Sequence, residues 1–298
     1  VVLADPSTSE LGGAVASCVG DYDLSDIVGL MPGVGGFAAQ GLVPSPGRAA
    51  LPDLLANGGH PDTALSALAD PAFDADAQER QYGIALLSGD AGAFTGSASL
   101  PVAGHRHGTS GAFVYSVQGN ALTDEAMLDR MVGELAKHHC DVVDALTATL
   151  QAAIAGDSGD ARCADAGVDS DSAHLEALLR SGTSVEITRV DTANRSATLS
   201  LLSEVGGWRA MNPCDEADAS TDDVGPTDPP KGDEPPTDKS IGATGAGSEP
   251  DDSSSCAVRA LNHRGDVARA LLLVAGVGAL SRMRRRQRPR ATKLQVNG

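Results

Sequence analysis

The chain has 298 residues and a net charge of −18, placed very unevenly. Ten Lys/Arg and a single acid follow Ser255, so residues 1–255 carry −27, and so acidic a body excludes nucleic acid as a partner, because that affinity rests on Lys and Arg neutralising phosphates. Aromatic residues make up only 3%, so any core must be packed from Ala, Val and Leu.

An apolar run at residues 1–4 ends at the turn formed by Asp5, Pro6 and Ser7 and reads as a strand. Residues 13–19 and 33–43 read as two more, the second with Phe37 and Leu42 as its only bulky apolar groups. Helices are expected at 49–56 and 62–69. Pro52 is tolerated in a first turn, Asn57, Gly58 and Gly59 stop the first helix, and Ala64, Leu65 and Leu68 share one face of the second. Strands follow at 81–87, 91–95 and 112–118, the first two joined by a turn at Ser88, Gly89 and Asp90. Thr123 is expected to cap a helix reaching about residue 138, with Met127, Leu128, Met131 and Leu135 on one face. Another helix at 141–155 is built around Val142, Val143, Leu146 and Leu150. Residues 175–179, 185–190 and 197–202 read as closing strands, although periodicity at 175–179 equally permits a helix. This order suits an α+β domain with helices packed outside sheets.

Residues 215–255 are different in kind, with twelve acids, six prolines and no aromatic residue. Such a segment cannot bury enough surface to offset its ordering entropy and reads as an extended acidic linker. The last part, 256–298, carries an eleven-residue apolar run at 270–280 and then six arginines, from Arg282 to Arg290. A bilayer span needs about twenty apolar residues, so the run alone is a marginal anchor whose flanking charge fits positive-inside orientation. The chain thus divides into a domain at 1–214, a linker at 215–255 and a tail at 256–298. Residues 1–20 lack a basic start and a long apolar stretch, as expected if a signal peptide has been removed or the sequence is truncated. Four of the five cysteines, Cys18, Cys140, Cys163 and Cys214, lie in the domain. None has CxxC spacing, which gives no support to a structural zinc site. Two disulfides among these four fit an exported chain, with three connectivities open and buried thiols as the alternative.

Four stretches together resemble one bacterial family. They are Asp5, Pro6 and Thr8 with ELGGAVAS at 10–17; GVGGFAAQ at 33–40; Arg80, Gln81, Tyr82, Gly83 and Ile84 with Phe94, Thr95 and Gly96; and Ala103, Gly104 and His105 with Val117, Gln118, Gly119, Asn120 and Leu122. In order and spacing they are similar to DUF1028, a domain-of-unknown-function family assigned to the N-terminal-nucleophile (Ntn) hydrolase-like superfamily, over about residues 1–190. The resemblance implies a four-layer αββα sandwich and a strand at 175–179. The tail is similar to the myxobacterial-type C-terminal sorting signal, which implies export to the cell envelope or surface, transient membrane contact, and Cys256 as the anchoring position. Thirteen residues separate Cys256 from its apolar run and eight follow Arg290, both departures from that pattern.

Ntn hydrolases attack an amide with an N-terminal Thr, Ser or Cys, whose α-amine, with a pKa near 8, serves as base. The family resemblance places that nucleophile a few residues before Val1, so Val1 itself cannot serve. Gln118, Gly119 and Asn120 are the candidate oxyanion site: a glycine lets backbone N–H groups approach, and the flanking amides add donors. The same residues also fit a strand-ending turn. His105 joins them through the family motif, in a catalytic or a hydrogen-bonded structural role. Arg80 and Gln81 are candidates for binding substrate, Arg80 at a carboxylate, against an internal ion pair with Glu79 or Asp76. Ser17, at a strand end, is a candidate cleft residue. His105 and His107 stand two apart, the spacing that shares a face if they lie on a strand, but no third ligand is signalled, so neither a metal nor a cofactor is expected. Gly159, Asp160 and Arg162 match a stretch common in the family, with Cys163 in place of its usual glycine. Two functions follow: an exported amide hydrolase acting on a small amide or peptide, or a non-catalytic envelope module that binds a ligand or partner. Self-association is left open. The composition of residues 215–255 predicts that limited proteolysis cuts there first and releases a stable core ending near Cys214. First cuts within residues 1–200 would place the boundary wrongly.

Overall fold

A computed structural model of the chain describes residues 1–137, 139–156 and 158–214. The linker at 215–255, the tail and Cys256 lie outside the described residues. The domain is mixed α+β, with ten strands in two antiparallel sheets and six helices.

The larger sheet has the order β10-β9-β2-β1-β8-β7. Its centre is the hairpin of β1 (Val2–Asp5) and β2 (Glu10–Ser17). Asp5 closes the turn by accepting from Ser7 N at 2.8 Å and Ser7 Oγ at 2.6 Å, an Asx turn. β8 (Phe113–Gly119) and the edge strand β7 (Gly104–Ser110) flank β1, while β9 (Ser172–Leu178) and β10 (Ser184–Val190) flank β2. The smaller sheet runs β3 (Val28–Met31), β4 (Gly35–Gly41), β5 (Arg80–Leu86) and β6 (Ala91–Thr95). The sheets pack on each other through β1, β2 and β8 against β3, β4 and β5.

Strand alternation divides the core into three apolar regions. Val2, Ala4, Leu11, Val28, Ala38, Ala85 and Val114 meet between the sheets, where small side chains allow close approach. Leu3, Ala14, Val117 and Leu175 face outward onto α3 (Ala126–Leu135), α4 (Val142–Ala153) and α6 (Ala197–Met211). Phe37, Tyr82 and Ile84 face the other way, onto α1 (Pro46–Leu55) and α2 (Pro61–Leu68). Gly12 and Gly13 serve both sides of β2. A Cβ at Gly12 would lie 2.7 Å from Leu146 Cδ1 on α4, and one at Gly13 would lie 2.2 Å from Val28 Cγ1 on β3.

Two expectations need correction. Residues 197–202 are not a strand but the start of α6, whose buried residues Ala197, Thr198, Leu201, Val205 and Trp208 recur at helical spacing. Its first turn is fixed from the loop before β9, with Thr198 N donating to Ser170 Oγ at 2.9 Å and Leu199 N to Asp169 Oδ2 at 3.0 Å. Thr123 does not cap α3: Asp124 Oδ1 accepts from Met127 N at 2.9 Å, while Thr123 Oγ1 accepts from Gly159 N at 3.3 Å. Two strands, the short β3 and the polar β7, add to those expected. Among the described residues no helix is long and apolar enough to cross a membrane.

All four domain cysteines are paired, Cys18 with Cys163 and Cys140 with Cys214, each pair with Cα atoms 5.9 Å apart. The first pair ties the end of β2 to the short α5 (Ala161–Ala164), and the second ties the segment after α6 to the start of α4. Such bonds are compatible with an oxidising, exported setting. Alkylation without reductant should therefore label none of the four cysteines. Replacing either pair with serines should cost about 2–4 kcal/mol in chemical denaturation. Stoichiometric labelling of unreduced, folded protein would contradict the pairing.

Candidate functional site

β1 lies between β2 and β8 in the larger sheet. Its pairing ends with Val2 opposite Gly13 on β2 and Ser116 on β8. Val1 extends it by one position, exchanging hydrogen bonds of 2.9 Å with Ala14. Beyond that point Val15, Ala16 and Ser17 of β2 face Gln118 and Gly119 of β8 with no strand of the described chain between them. Two strand spacings, about 9–10 Å, separate these edges. The gap is part of a cleft of about 170 Å³ lined on one side by Met127, Met131 and Leu150 and on the other by Tyr22, Gln40 and Val43.

The wall carrying Gly119 and Asn120 is held by Gln81. This residue is fully buried on β5, in register with Gln40 on β4 and Thr95 on β6, so all three point at the larger sheet. Gln81 Nε2 donates to Gly119 O at 2.8 Å and lies 3.1 Å from Thr95 Oγ1 and 3.3 Å from Gly104 O. Its Oε1 accepts from Asn120 Nδ2 at 2.7 Å and Gln40 Nε2 at 3.0 Å. Thr95 Oγ1 passes the network on to His105 Nδ1 at 2.9 Å. Burial, reinforced by His107 and Arg106, holds the His105 pKa below its ordinary value.

Two residues on, Gly83 leaves room for Gln118. A Cβ there would lie 2.4 Å from Gln118 Oε1 and 2.6 Å from its Nε2. Ser116 Oγ donates to Gln118 Oε1 at 3.0 Å, whereas Gln118 Nε2 is buried without a hydrogen-bond partner among the described residues. An unmade bond of this kind costs about 1–3 kcal/mol and calls for a reason. Just past Asn120, Ala121 has a positive φ of 53°, a conformation uncommon for a residue with a side chain, and is held by Ala161 N donating to its carbonyl at 2.7 Å.

The opposite wall ends in a charged cluster. Asp160 Oδ2 accepts from Cys18 N at 3.1 Å, and Asp160 Oδ1 accepts from Arg162 Nε at 2.8 Å. Arg162 Nη2 donates to Asp160 Oδ2 as well and reaches Ser17 Oγ at 3.2 Å. Asp160 holds the Arg162 pKa above the ordinary guanidinium range. The Cys18–Cys163 bond ties these two short segments together, with Arg195 Nη2 3.3 Å from Cys163 Sγ. Asp171 lies close enough to make a three-ligand group with the two sulfurs, but those sulfurs are bonded to each other.

Of the residues singled out in the sequence, Gln118, Gly119, Asn120 and Ser17 line the cleft. Gln81 and His105 stand behind that lining as its support. Arg80 lies elsewhere: its guanidinium is buried against Asp74, 2.8 Å from Nε, and also donates to Leu42 O. The internal ion pair weighed for Arg80 thus exists, with Asp74 in place of Glu79 or Asp76. Sequence reasoning gave no role to Gln40, although an amide ending an otherwise apolar strand is a signal. Nor did it assign one to Asp160 and Arg162, although their motif was visible.

Fold and site define a two-sheet α+β domain with a cleft lined by Ser17 at the end of β2 and by Gln118, Gly119 and Asn120 at the end of β8. A family model matches residues 1–196, and the chain belongs to that family, DUF1028, a family of unknown function. A crystal structure of a Silicibacter pomeroyi protein, described by the same family, superposes with a TM-score of 0.54 at 23% identity. The match covers 70% of this chain and 83% of that one, and at that identity it speaks to the fold alone. No curated protein matches the chain.

Proposed function

We propose that this domain is an exported amide hydrolase of the N-terminal-nucleophile type, built on a four-layer αββα sandwich. The cleft wall formed by Gln118, Gly119 and Asn120, with the Asn120 amide fixed by Gln81, carries this reading. Up to three residues on the N-terminal side of Val1 fit opposite Val15, Ala16 and Ser17, and the outermost faces Asn120 across the cleft. A Thr or Ser there, with a free α-amine as base, attacks the amide carbon through its hydroxyl. The C–N bond breaks, the amine leaves with the hydroxyl's proton, and water then hydrolyses the ester. Asn120 Nδ2 gives one hydrogen to Gln81 and keeps the other for the oxyanion.

A second reading, a ligand-binding envelope module on the same fold, is favoured by one observation. Ser17, a cleft hydroxyl, accepts from Arg162 and donates to an Asp160 carboxylate that is already held by Arg162 and Cys18 N, so it is tied into the wall. The two readings part in a chain prepared with a free Thr or Ser within three residues before Val1 and assayed against a panel of small amides. Hydrolysis is expected, and Asn120→Ala should lower kcat by about 10²–10³-fold with an unchanged melting temperature. Full activity in the folded variant removes Asn120 from the chemistry, and a panel left wholly intact favours the binding module.

A further inference from the structure

We infer that the cleft grips a carboxylate on its ligand through Arg162, so that the preferred substrates are amides carrying a free carboxylate, such as N-acyl amino acids. The inference rests on the hydrolase reading for the word substrate, but the binding site itself does not depend on it.

Arg162 is the one cation among the described residues lining the cleft. A guanidinium has five N–H donors, and three of these are spent here. The edge formed by Nε and Nη2 forks onto Asp160, and Nη2 also reaches Ser17 Oγ. Nη1 has no partner among the described residues, so the second fork, the edge shared by Nη1 and Nη2, faces the Ser17 side of the cleft half-used. That edge matches a carboxylate in plane and spacing.

The cleft's acids are in the opposite state. Asp160 accepts from Cys18 N, Arg162 N and the guanidinium. Asp169 accepts from Ser170 Oγ at 2.9 Å and Leu199 N at 3.0 Å. These carboxylates are committed to the fold, which disfavours a cationic ligand group and leaves the arginine as the group with capacity to spare. Asp160 then acts as a positioning residue, aiming Arg162 with its own backbone fixed by the Cys18–Cys163 bond and by a bridge to Leu122. Apolar lining from Met127, Met131 and Leu150 is available to the remainder of the ligand.

The test is calorimetric titration of the full chain with N-hexanoylglycine and with its methyl ester, which differ only in the charged group. The acid should bind about tenfold tighter than the ester. Arg162→Gln should abolish that preference, and Arg162→Lys, which keeps the charge without the fork, should retain only part of it. Should the Gln variant lose its fold, judged by melting temperature and free thiol at Cys18 and Cys163, the Lys variant decides. Equal binding of acid and ester, no binding of either, or an acid preference unchanged in both folded variants overturns the inference. Hydrolysis of an uncharged hexanoyl amide without any acid preference would leave the hydrolase reading standing and end this one. Acid preference through Arg162 with no hydrolysis would do the reverse.

Discussion

One buried amide joins the two sheets at the cleft. Gln81 presents a carboxamide with no access to water, and its acceptor and donors are taken by groups from both sheets. A fully satisfied polar contact inside an apolar interface fixes geometry, because every misplacement leaves a buried group unpaired. Here the group being fixed is the turn at Gly119 and Asn120, one wall of the cleft. The network's direction follows from strand alternation alone. Gln40, Gln81 and Thr95 lie side by side in register, so the face that carries Gln81 inward must carry the other two inward as well.

The remaining construction serves that wall and the one opposite. Close packing between the sheets depends on glycine where a side chain would collide, at Gly13 against Val28 and at Gly83 against Gln118. The far wall is secured covalently, by a disulfide spanning 145 residues that brings Cys18, next to Ser17, beside Cys163, next to Arg162. One wall is thus positioned by hydrogen bonds to the second sheet and the other by a covalent link and an ion pair. The half-used Arg162 is what this region leaves available for a ligand.

Much of this was legible in the sequence. The strands beginning at Val2, Arg80 and Phe113 announce themselves by apolar runs and turn residues, and α3 and α4 by periodicity. The use of all four domain cysteines was readable, but their pairing was not, since connectivity depends on which loops meet in space. Residues 197–202 misled because six residues of mixed apolar character fit either period, and the helix becomes evident only when Val205 and Trp208 extend it. β7 escaped notice because an edge strand with His105, Arg106 and His107 lacks an apolar face. The motif residues Gln118, Gly119 and Asn120 were found at the cleft, whereas Gln81 proved to be their support and Arg80 a partner of Asp74. Sequence identifies unusual residues, but whether such a residue faces a ligand or another side chain depends on the sheet opposite.

The claim that Gln81 holds the cleft wall is tested most directly by amide hydrogen exchange in Gln81→Met, an uncharged replacement of similar length. Leu122 N, which donates to Val102 O, and Ala161 N, which donates to Ala121 O, report on the turn just past Asn120. The account predicts that these two amides lose protection well before the paired amides of β2 and β9, with global stability lowered by about 2–4 kcal/mol. Wild-type protection at both positions in a folded variant of undiminished stability would contradict it.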